Sequence, residues 1–126
     1  MNLPAPAAVL RHDGPALLLD RVEHFHGDAL ACVARGVGPW RWPAMLEAAA
    51  QGAGLLAGLQ TDGLSNRAVI AEYRGIVIHA HEHTGAVRVH ARLDRRLLHF
   101  WRVRIEVEAM EGSVLLAGFV TLAPGT

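Results

Sequence analysis

The chain has 126 residues, 52% of them hydrophobic, which is enough for one domain with a substantial core and too short for two. Its 12 basic residues, all arginine, balance 12 acidic residues, and this neutral composition argues against nucleic acid or an anionic membrane surface as the main partner. The single cysteine, Cys32, excludes an intramolecular disulfide; since no targeting segment is recognisable, we expect a cytoplasmic protein.

The N-terminal half of the sequence predicts an arm, a β-hairpin and one long helix. Residues 1–9 are rich in Ala and Pro and are predicted to form a loose arm. Two apolar segments, Ala16–His24 and Asp28–Arg35, predict strands joined by a turn at Phe25–Gly27. A helix is then predicted over Pro43–Leu59, because proline suits the first helical position.

This predicted helix is apolar around most of its circumference, which indicates a buried element covered by the rest of the domain. Its most apolar stretch, Ala44–Leu59, is shorter than the ~20 residues of a membrane span. Gly52, Gly54 and Gly58 each cost about 1 kcal/mol relative to alanine. We therefore expect backbone or ligand to approach that face closely.

The C-terminal half predicts a curved antiparallel sheet. The β-type segments are Arg67–His81, Gly85–Leu93 continuing into the Leu98–Ala109 run, and Ser113–Leu122. Residues 102–108 alternate charged and apolar, so this sheet is predicted to have one wet and one buried face. The fold class is therefore α+β, a long central helix wrapped by a curved antiparallel sheet, which is the hot-dog fold.

Four segments resemble the hot-dog β-hydroxyacyl-ACP dehydratases of fatty-acid and polyene synthesis, over roughly residues 9–123. They are Leu10–Val22 with its His-Asp-Gly-Pro and Asp-Arg-Val, Leu46–Ala57 with an acid followed four residues later by glutamine, Arg74–Val89, and Arg95–Ala117. The resemblance implies a single hot-dog domain over residues 1–126. It also implies an obligate homodimer or heterodimer, whose sheets join edge to edge and whose active sites are built from both chains.

The implied activity is dehydration of 3-hydroxyacyl chains carried on the phosphopantetheine of an acyl carrier protein, with no further cofactor. One departure lies in residues 33–43, which hold no histidine where the family has one in a His-Phe-Pro-Gly-like motif. Pro43 also precedes Glu47 by four residues instead of six. A divergent branch associated with aryl-polyene clusters is similar in lacking that histidine, and the chain resembles this branch more closely.

The missing histidine motivates an alternative, that the chain is a catalytically incomplete subunit of a heterodimer whose partner supplies the histidine. A third hypothesis is a hot-dog acyl thioesterase, which also uses a helical carboxylate, here to activate water.

Dehydration requires a base for the α-proton, an acid for the departing hydroxide and donors for the thioester oxygen. Glu47 is the candidate acid, because desolvation on an apolar helix would favour its protonated form. The alternative is that water reaches Glu47 near the helix start. Gln51, one turn further, would orient that carboxyl group or is a buried structural glutamine. His12 is the remaining candidate base, or a loop histidine that holds the N-terminal segment.

Other candidates would position the substrate and its carrier. The backbone N–H groups of Ala44 and Met45 lie at the helix start and suit a developing oxyanion. Trp42 would line an acyl tunnel or lie in the core or at a dimer interface. Arg95 and Arg96 belong to an arginine-rich pair of strands that would meet an acidic carrier protein or form a solvated face.

Three histidines, His79, His81 and His83, recur at alternate positions and would share one face if their strand continued. No cysteine or carboxylate cluster accompanies them. We therefore interpret them as polar residues at a strand end and expect no metal site there.

Overall fold

A computed structural model describes residues 3, 5, 6, 17–36, 38–60 and 68–124. Position 12 and most of the predicted N-terminal arm lie outside these ranges. The described elements, in chain order, are β1 (Arg21–His26), β2 (Ala29–Ala34), β3 (Trp40–Arg41), α1 (Trp42–Gln60), β4 (Ala68–Ile78), β5 (Glu82–His83), β6 (Val87–Arg96), β7 (Trp101–Ala109) and β8 (Val114–Pro124).

Six of these strands form one antiparallel sheet in the order β1-β2-β6-β7-β8-β4, while β3 and β5 form a small separate pair. The two edges of the large sheet are β1 and β4. Helix α1 packs across the sheet, mostly against β6 and β7. The predicted α+β hot-dog architecture, a long helix on a curved antiparallel sheet, is thus confirmed.

The first hairpin is shifted from its predicted position. Strand β1 begins at Arg21 and continues to His26, so the reversal is a two-residue turn at Gly27 and Asp28 and not at Phe25–Gly27. His26 pairs with Ala29 across this turn. Gly27 has a φ of 60°, which suits the first central position of a type II′ turn and explains why glycine is placed there.

The segment predicted to run on from Leu93 towards Ala109 is two antiparallel strands, so that prediction is wrong. Strand β6 ends at Arg96, and the chain reverses through a short loop closed by a hydrogen bond from the Leu97 N–H to the Phe100 carbonyl oxygen at 2.8 Å. Residues 97–100 contain no glycine or proline. The usual sequence signal for a turn is therefore absent from this hairpin.

The core lies between α1 and the inner face of the sheet. Val103, Ile105 and Val107 of β7 are fully buried, which confirms the alternation predicted for this segment. From the helix, Met45 and Leu56 are also fully buried. Complete burial of side chains of this size stabilises the fold by about 1.5–3 kcal/mol each.

Gly52 of α1 lies close against Val89 of β6. A Cβ atom at this position would lie 2.7 Å from Cγ1 of Val89 on β6. This confirms for Gly52 the expectation of a close backbone approach, because the methyl group of alanine would not fit without a shift. No helix among the described residues is long and apolar enough to cross a membrane.

Candidate functional site

Gln51 is the buried polar residue at the centre of the predicted site, with 3% of its surface exposed. Its Oε1 accepts a hydrogen bond from the Leu18 N–H at 2.8 Å. Its Nε2 donates to Oε1 of Glu47 at 3.4 Å. Gln51 therefore connects the chain ahead of β1 to the helix and contacts the Glu47 carboxyl group, as the spacing of four residues predicts.

Glu47 itself is exposed in the single chain. The expectation that this carboxylate lies in apolar surroundings is therefore wrong for one chain alone. Its neighbours in the first helical turn, Trp42 and Pro43, are also exposed, whereas Met45 on the opposite side is fully buried. The helix is thus covered on all sides only beyond its second turn, and its N-terminal part presents one side to solvent.

Tyr73 of β4 lies near Glu47 and was missed by the sequence analysis. It pairs with Val120, whose buried side chain faces the helix, so Tyr73 lies on that same face of the sheet. Burial raises the pKa of the Tyr73 hydroxyl, and the negative charge of Glu47 raises it further. Tyr73 therefore keeps its proton at neutral pH. Its being the only tyrosine of the chain was the available signal.

The helix start presents two backbone donors. The Trp42 N–H donates to the carbonyl oxygen of His81 at 2.9 Å, and Pro43 has no N–H. The remaining first-turn N–H groups are those of Ala44 and Met45, which have no acceptor within the helix. The Met45 side chain is fully buried, so this residue offers its backbone and not its side chain to a substrate.

The candidate base His12 lies outside the described residues. The three alternating histidines do not lie on one continuous strand, so the condition for a shared face is not met. Strand β4 ends at Ile78, the chain bends, and only His83 lies in the short strand β5. A different group, His90 with Glu106 and Glu108, brings possible metal ligands together on the outer face of the sheet.

Arg95 and Arg96 occupy different surroundings. Arg95 lines a cleft of about 350 Å³ on the outer face, together with Arg74, Arg102 and the apolar Leu97 and Phe100. Within the described part of the chain, Arg95 forms no ion pair.

The guanidinium of Arg96 lies over the Trp101 ring, 4.2 Å from its centroid, and donates to Gln60 at 3.3 Å. Arg95 is therefore the better placed of the two arginines for an incoming anion.

Comparison with solved structures shows what this architecture resembles. A chain of the dehydratase heterocomplex ApeI:P from Xenorhabdus doucetiae is similar over 99% of this chain and 93% of its own length, with 15% identity and a TM-score of 0.84. A mutant thioesterase from Pseudomonas aeruginosa is similar over 82% of this chain and 78% of its own length, with 17% identity and a TM-score of 0.69. A hypothetical thioesterase with coenzyme A from Streptococcus pneumoniae is similar over 84% of this chain and 90% of its own length, with 11% identity and a TM-score of 0.68.

No family model matches the sequence, and no curated protein matches it. At identities this low, the likeness to solved structures concerns the fold. The described residues therefore have the hot-dog fold, and the structural neighbours include a dehydratase complex and several thioesterases.

Proposed function

We propose that this chain is a hot-dog subunit acting on acyl thioesters, as a 3-hydroxyacyl-[acyl-carrier-protein] dehydratase in fatty-acid or polyene synthesis. The observation that carries this proposal is the similarity to the dehydratase heterocomplex chain, which covers 99% of this chain at a TM-score of 0.84. The thioesterase structures named above cover 82% and 84% of this chain, at lower TM-scores. The dehydratase is therefore the better template for the whole chain.

In the proposed reaction, a base removes a proton from C2 of the 3-hydroxyacyl thioester. The electrons of that C–H bond form the C2–C3 double bond, and the C3–O bond breaks. The leaving oxygen takes a proton from the acid and departs as water. Glu47 is the proposed acid, with Gln51 holding its carboxyl group, and His12 is the proposed base.

During proton removal, negative charge develops on the thioester oxygen. The N–H groups of Ala44 and Met45 at the helix start are the proposed donors to this oxygen. Trp42, half-exposed beside them, is proposed to contact the acyl chain.

The acid role of Glu47 needs a second chain. Removal from water favours the protonated form of a carboxylic acid, which is the form that can donate a proton. Edge strand β4, which carries Tyr73 near Glu47, has exposed apolar residues along its length. A partner subunit paired along β4 would cover the exposed side of the helix. We therefore propose a dimer, either of identical chains or with a related hot-dog subunit.

The heterodimeric form has its own support. The loop over residues 33–43 has no histidine, and the similar dehydratase is a heterocomplex. In this alternative, the chain is catalytically incomplete and the partner supplies the missing imidazole.

Acyl thioesterase activity is the second candidate function. The exposure of Glu47 favours it, because an ionised carboxylate can accept a proton from water that attacks the thioester carbonyl. In that reaction the C–S bond breaks and the products are a carboxylic acid and a free thiol. Dehydration, in contrast, leaves the thioester intact.

An acyl carrier protein is the proposed partner in both dehydratase alternatives. The cleft bearing Arg74, Arg95 and Arg102 would bind an acidic carrier surface or the phosphate of its phosphopantetheine. Leu97 and Phe100 add apolar contact area at the same place.

The test is an assay of the purified chain with a 3-hydroxyacyl-ACP, following enoyl product by mass and free thiol by a thiol reagent. Enoyl-ACP formed by the chain alone supports a self-sufficient dehydratase. Enoyl-ACP formed only after addition of a histidine-bearing hot-dog homologue supports the incomplete subunit. Thiol release, also from an acyl-ACP that lacks the 3-hydroxyl group, identifies a thioesterase. Absence of all three products with the assembled protein would contradict action on acyl thioesters.

A further inference from the structure

The outer face of β6 and β7, opposite the helix, carries a histidine and two glutamates in neighbouring positions. His90 of β6 is the cross-strand partner of Glu106 on β7, and Glu108 follows two residues later on the same face. One ligand atom from each residue lies within 4.8 Å of the other two, and all three residues are half-buried. Two adjacent strands therefore bring one imidazole nitrogen and two carboxylate oxygens within 4.8 Å of one another.

The contacts within this group are unequal. Nε2 of His90 lies 2.8 Å from Oε1 of Glu108. Arg88 donates to that same Glu108 oxygen at 3.3 Å, but its stronger contact is with Glu23 at 2.6 Å. Glu106 makes no hydrogen bond or ion pair with any other residue in the described part of the chain. Glu106 thus has no positively charged partner within the described part of the chain.

The carboxylates of this region differ in their pairing. Glu23 lies in ion pairs with Arg21 and Arg88, and Glu108 lies in contact with Arg88 and His90, whereas Glu106 has no ion pair within the described part of the chain. Neighbouring carboxylates repel each other, and one divalent cation would remove that repulsion.

The outer face has two further cations near this point. Arg92 and Arg104 line an adjacent cleft of about 370 Å³ together with His90 and Glu106. Within the described part of the chain, neither arginine forms an ion pair with these carboxylates. The cleft leaves the group open to solvent on one side, where water molecules can complete a coordination shell.

We propose that His90, Glu106 and Glu108 bind one divalent transition-metal ion of the Zn²⁺ class. Imidazole as a ligand favours Zn²⁺, Cu²⁺, Ni²⁺ or Fe²⁺ over Mg²⁺ and Ca²⁺. Two ligand atoms at about 2.0 Å from a tetrahedral ion are about 3.3 Å apart. The 2.8 Å separation of His90 and Glu108 therefore needs to widen by a few tenths of an ångström, which side-chain rotation on an open face allows.

The experiment is a titration of the untagged full chain with zinc chloride, measured by calorimetry. We expect one ion per chain. His90→Gln is expected to weaken binding by more than the 10–100-fold typical of residues that only support a ligand. Glu106→Gln, which removes charge but keeps shape, is expected to weaken it as well. The matched control is His83→Gln, which removes another histidine and is expected to bind zinc with unchanged affinity.

Cobalt chloride provides a second measurement, because a tetrahedral Co²⁺ site absorbs visible light strongly and an octahedral hydrated ion does not. Absence of binding would overturn the proposal, as would unchanged affinity in His90→Gln or a loss confined to His83→Gln. If His90→Gln fails to fold, Glu106→Gln decides by the same criteria. The site lies on the opposite side of the sheet from α1, so its failure would leave the proposed thioester chemistry untouched.

Discussion

The two edges of the six-stranded sheet differ in length and in chemistry. Strand β1 has six residues, and its exposed positions are polar, with Arg21, Glu23, His24 and His26. Short strands and charged side chains are common protections of a sheet edge against pairing with another chain. The ion pair of Glu23 with Arg88 of β6 adds a contact across the neighbouring strand. The β1 edge therefore has the features of an edge strand that does not pair with another chain.

Strand β4, at the other edge, has eleven residues. Val69, Ile70, Tyr73 and Val77 are between 39% and 51% exposed along it. Apolar side chains beside unpaired backbone N–H and C=O groups favour addition of a further strand. The contrast teaches that the two edges of one sheet can differ, with polar side chains along one edge and exposed apolar side chains along the other, and the apolar edge is the one near Glu47.

The largest expected effect concerns the site beside β4. Glu47→Gln is expected to lower turnover of a 3-hydroxyacyl-ACP by ~10²–10⁴-fold, because the amide cannot transfer the proton. The matched control is Glu111→Gln in the β7–β8 turn, which makes the same chemical change and is expected to leave turnover unchanged. Steady-state rates of the active assembly provide the measurement. Equal rates for Glu47→Gln and the unmodified chain would remove Glu47 from the mechanism.

Charging the β4 edge should break the assembly. The double substitution Val69→Lys with Val77→Lys is expected to raise the dimer dissociation constant by about 100-fold or more, since like charges across an interface cost several kcal/mol. Analytical ultracentrifugation measures this, with circular dichroism as a check of folding.

The matched control for that experiment charges the other edge, as His24→Lys with His26→Lys. Because β1 is already polar, no change in assembly is expected. If both double substitutions weakened the dimer equally, or if only the β1 substitutions weakened it, the expected difference between the two edges would be contradicted.

The stability that the ion pairs near β1 contribute should depend on pH. The Arg88 hydrogen bond holds the pKa of Glu23 below its ordinary value of 4.5, and contacts with His90 and Arg88 do the same for Glu108. Both pKa values are lowered in the folded chain, so this stabilisation is present above pH 4.5 and is lost as the pH falls through the folded values. Surface ion pairs of this kind contribute about 1 kcal/mol or less each.

Urea unfolding at neutral and acidic pH measures that loss. In Arg88→Gln, the free energy of unfolding is expected to be lower at neutral pH and to fall less on acidification. An identical acid dependence in Arg88→Gln would show that the pair does not stabilise the β1 edge.

The smallest expected effect concerns alkylation of Cys32, which we expect not to occur in the native chain. Cys32 of β2, next to β1, is fully buried, and desolvation raises its pKa to about 12. We expect no labelling of the native chain by iodoacetamide at mildly alkaline pH and complete labelling in denaturant. Rapid labelling under native conditions would mean that β1 opens readily and that this edge is less protected than β4.

Much of the fold was predictable because its cause is local. The alternation over residues 102–108 identifies the buried and wet faces of β7, and a proline followed by an apolar run locates α1. The reversal at 97–100 was not predictable from turn residues, because a Leu-Leu-His-Phe loop has none of them. Its conformation depends on the pairing of β6 with β7 across distant residues.

The site was predictable only in part. The spacing of Glu47 and Gln51 predicts their contact, because residues four apart share a helix face. The exposure of Glu47 depends on which elements reach the start of α1, and the proximity of Tyr73 depends on the order of the strands. The grouping of His90 with Glu106 requires the register of β6 against β7, which composition and periodicity do not contain.

The missing side chain at position 52 has a consequence beyond local packing. Cγ1 of Val89 lies 2.7 Å from the position that a Cβ atom of residue 52 would take, so a side chain there would push the helix away from β6 or rotate it. Glu47 lies five residues nearer the start of the same helix and would move with it. A methyl group added at position 52 would therefore re-aim a carboxylate more than one turn away.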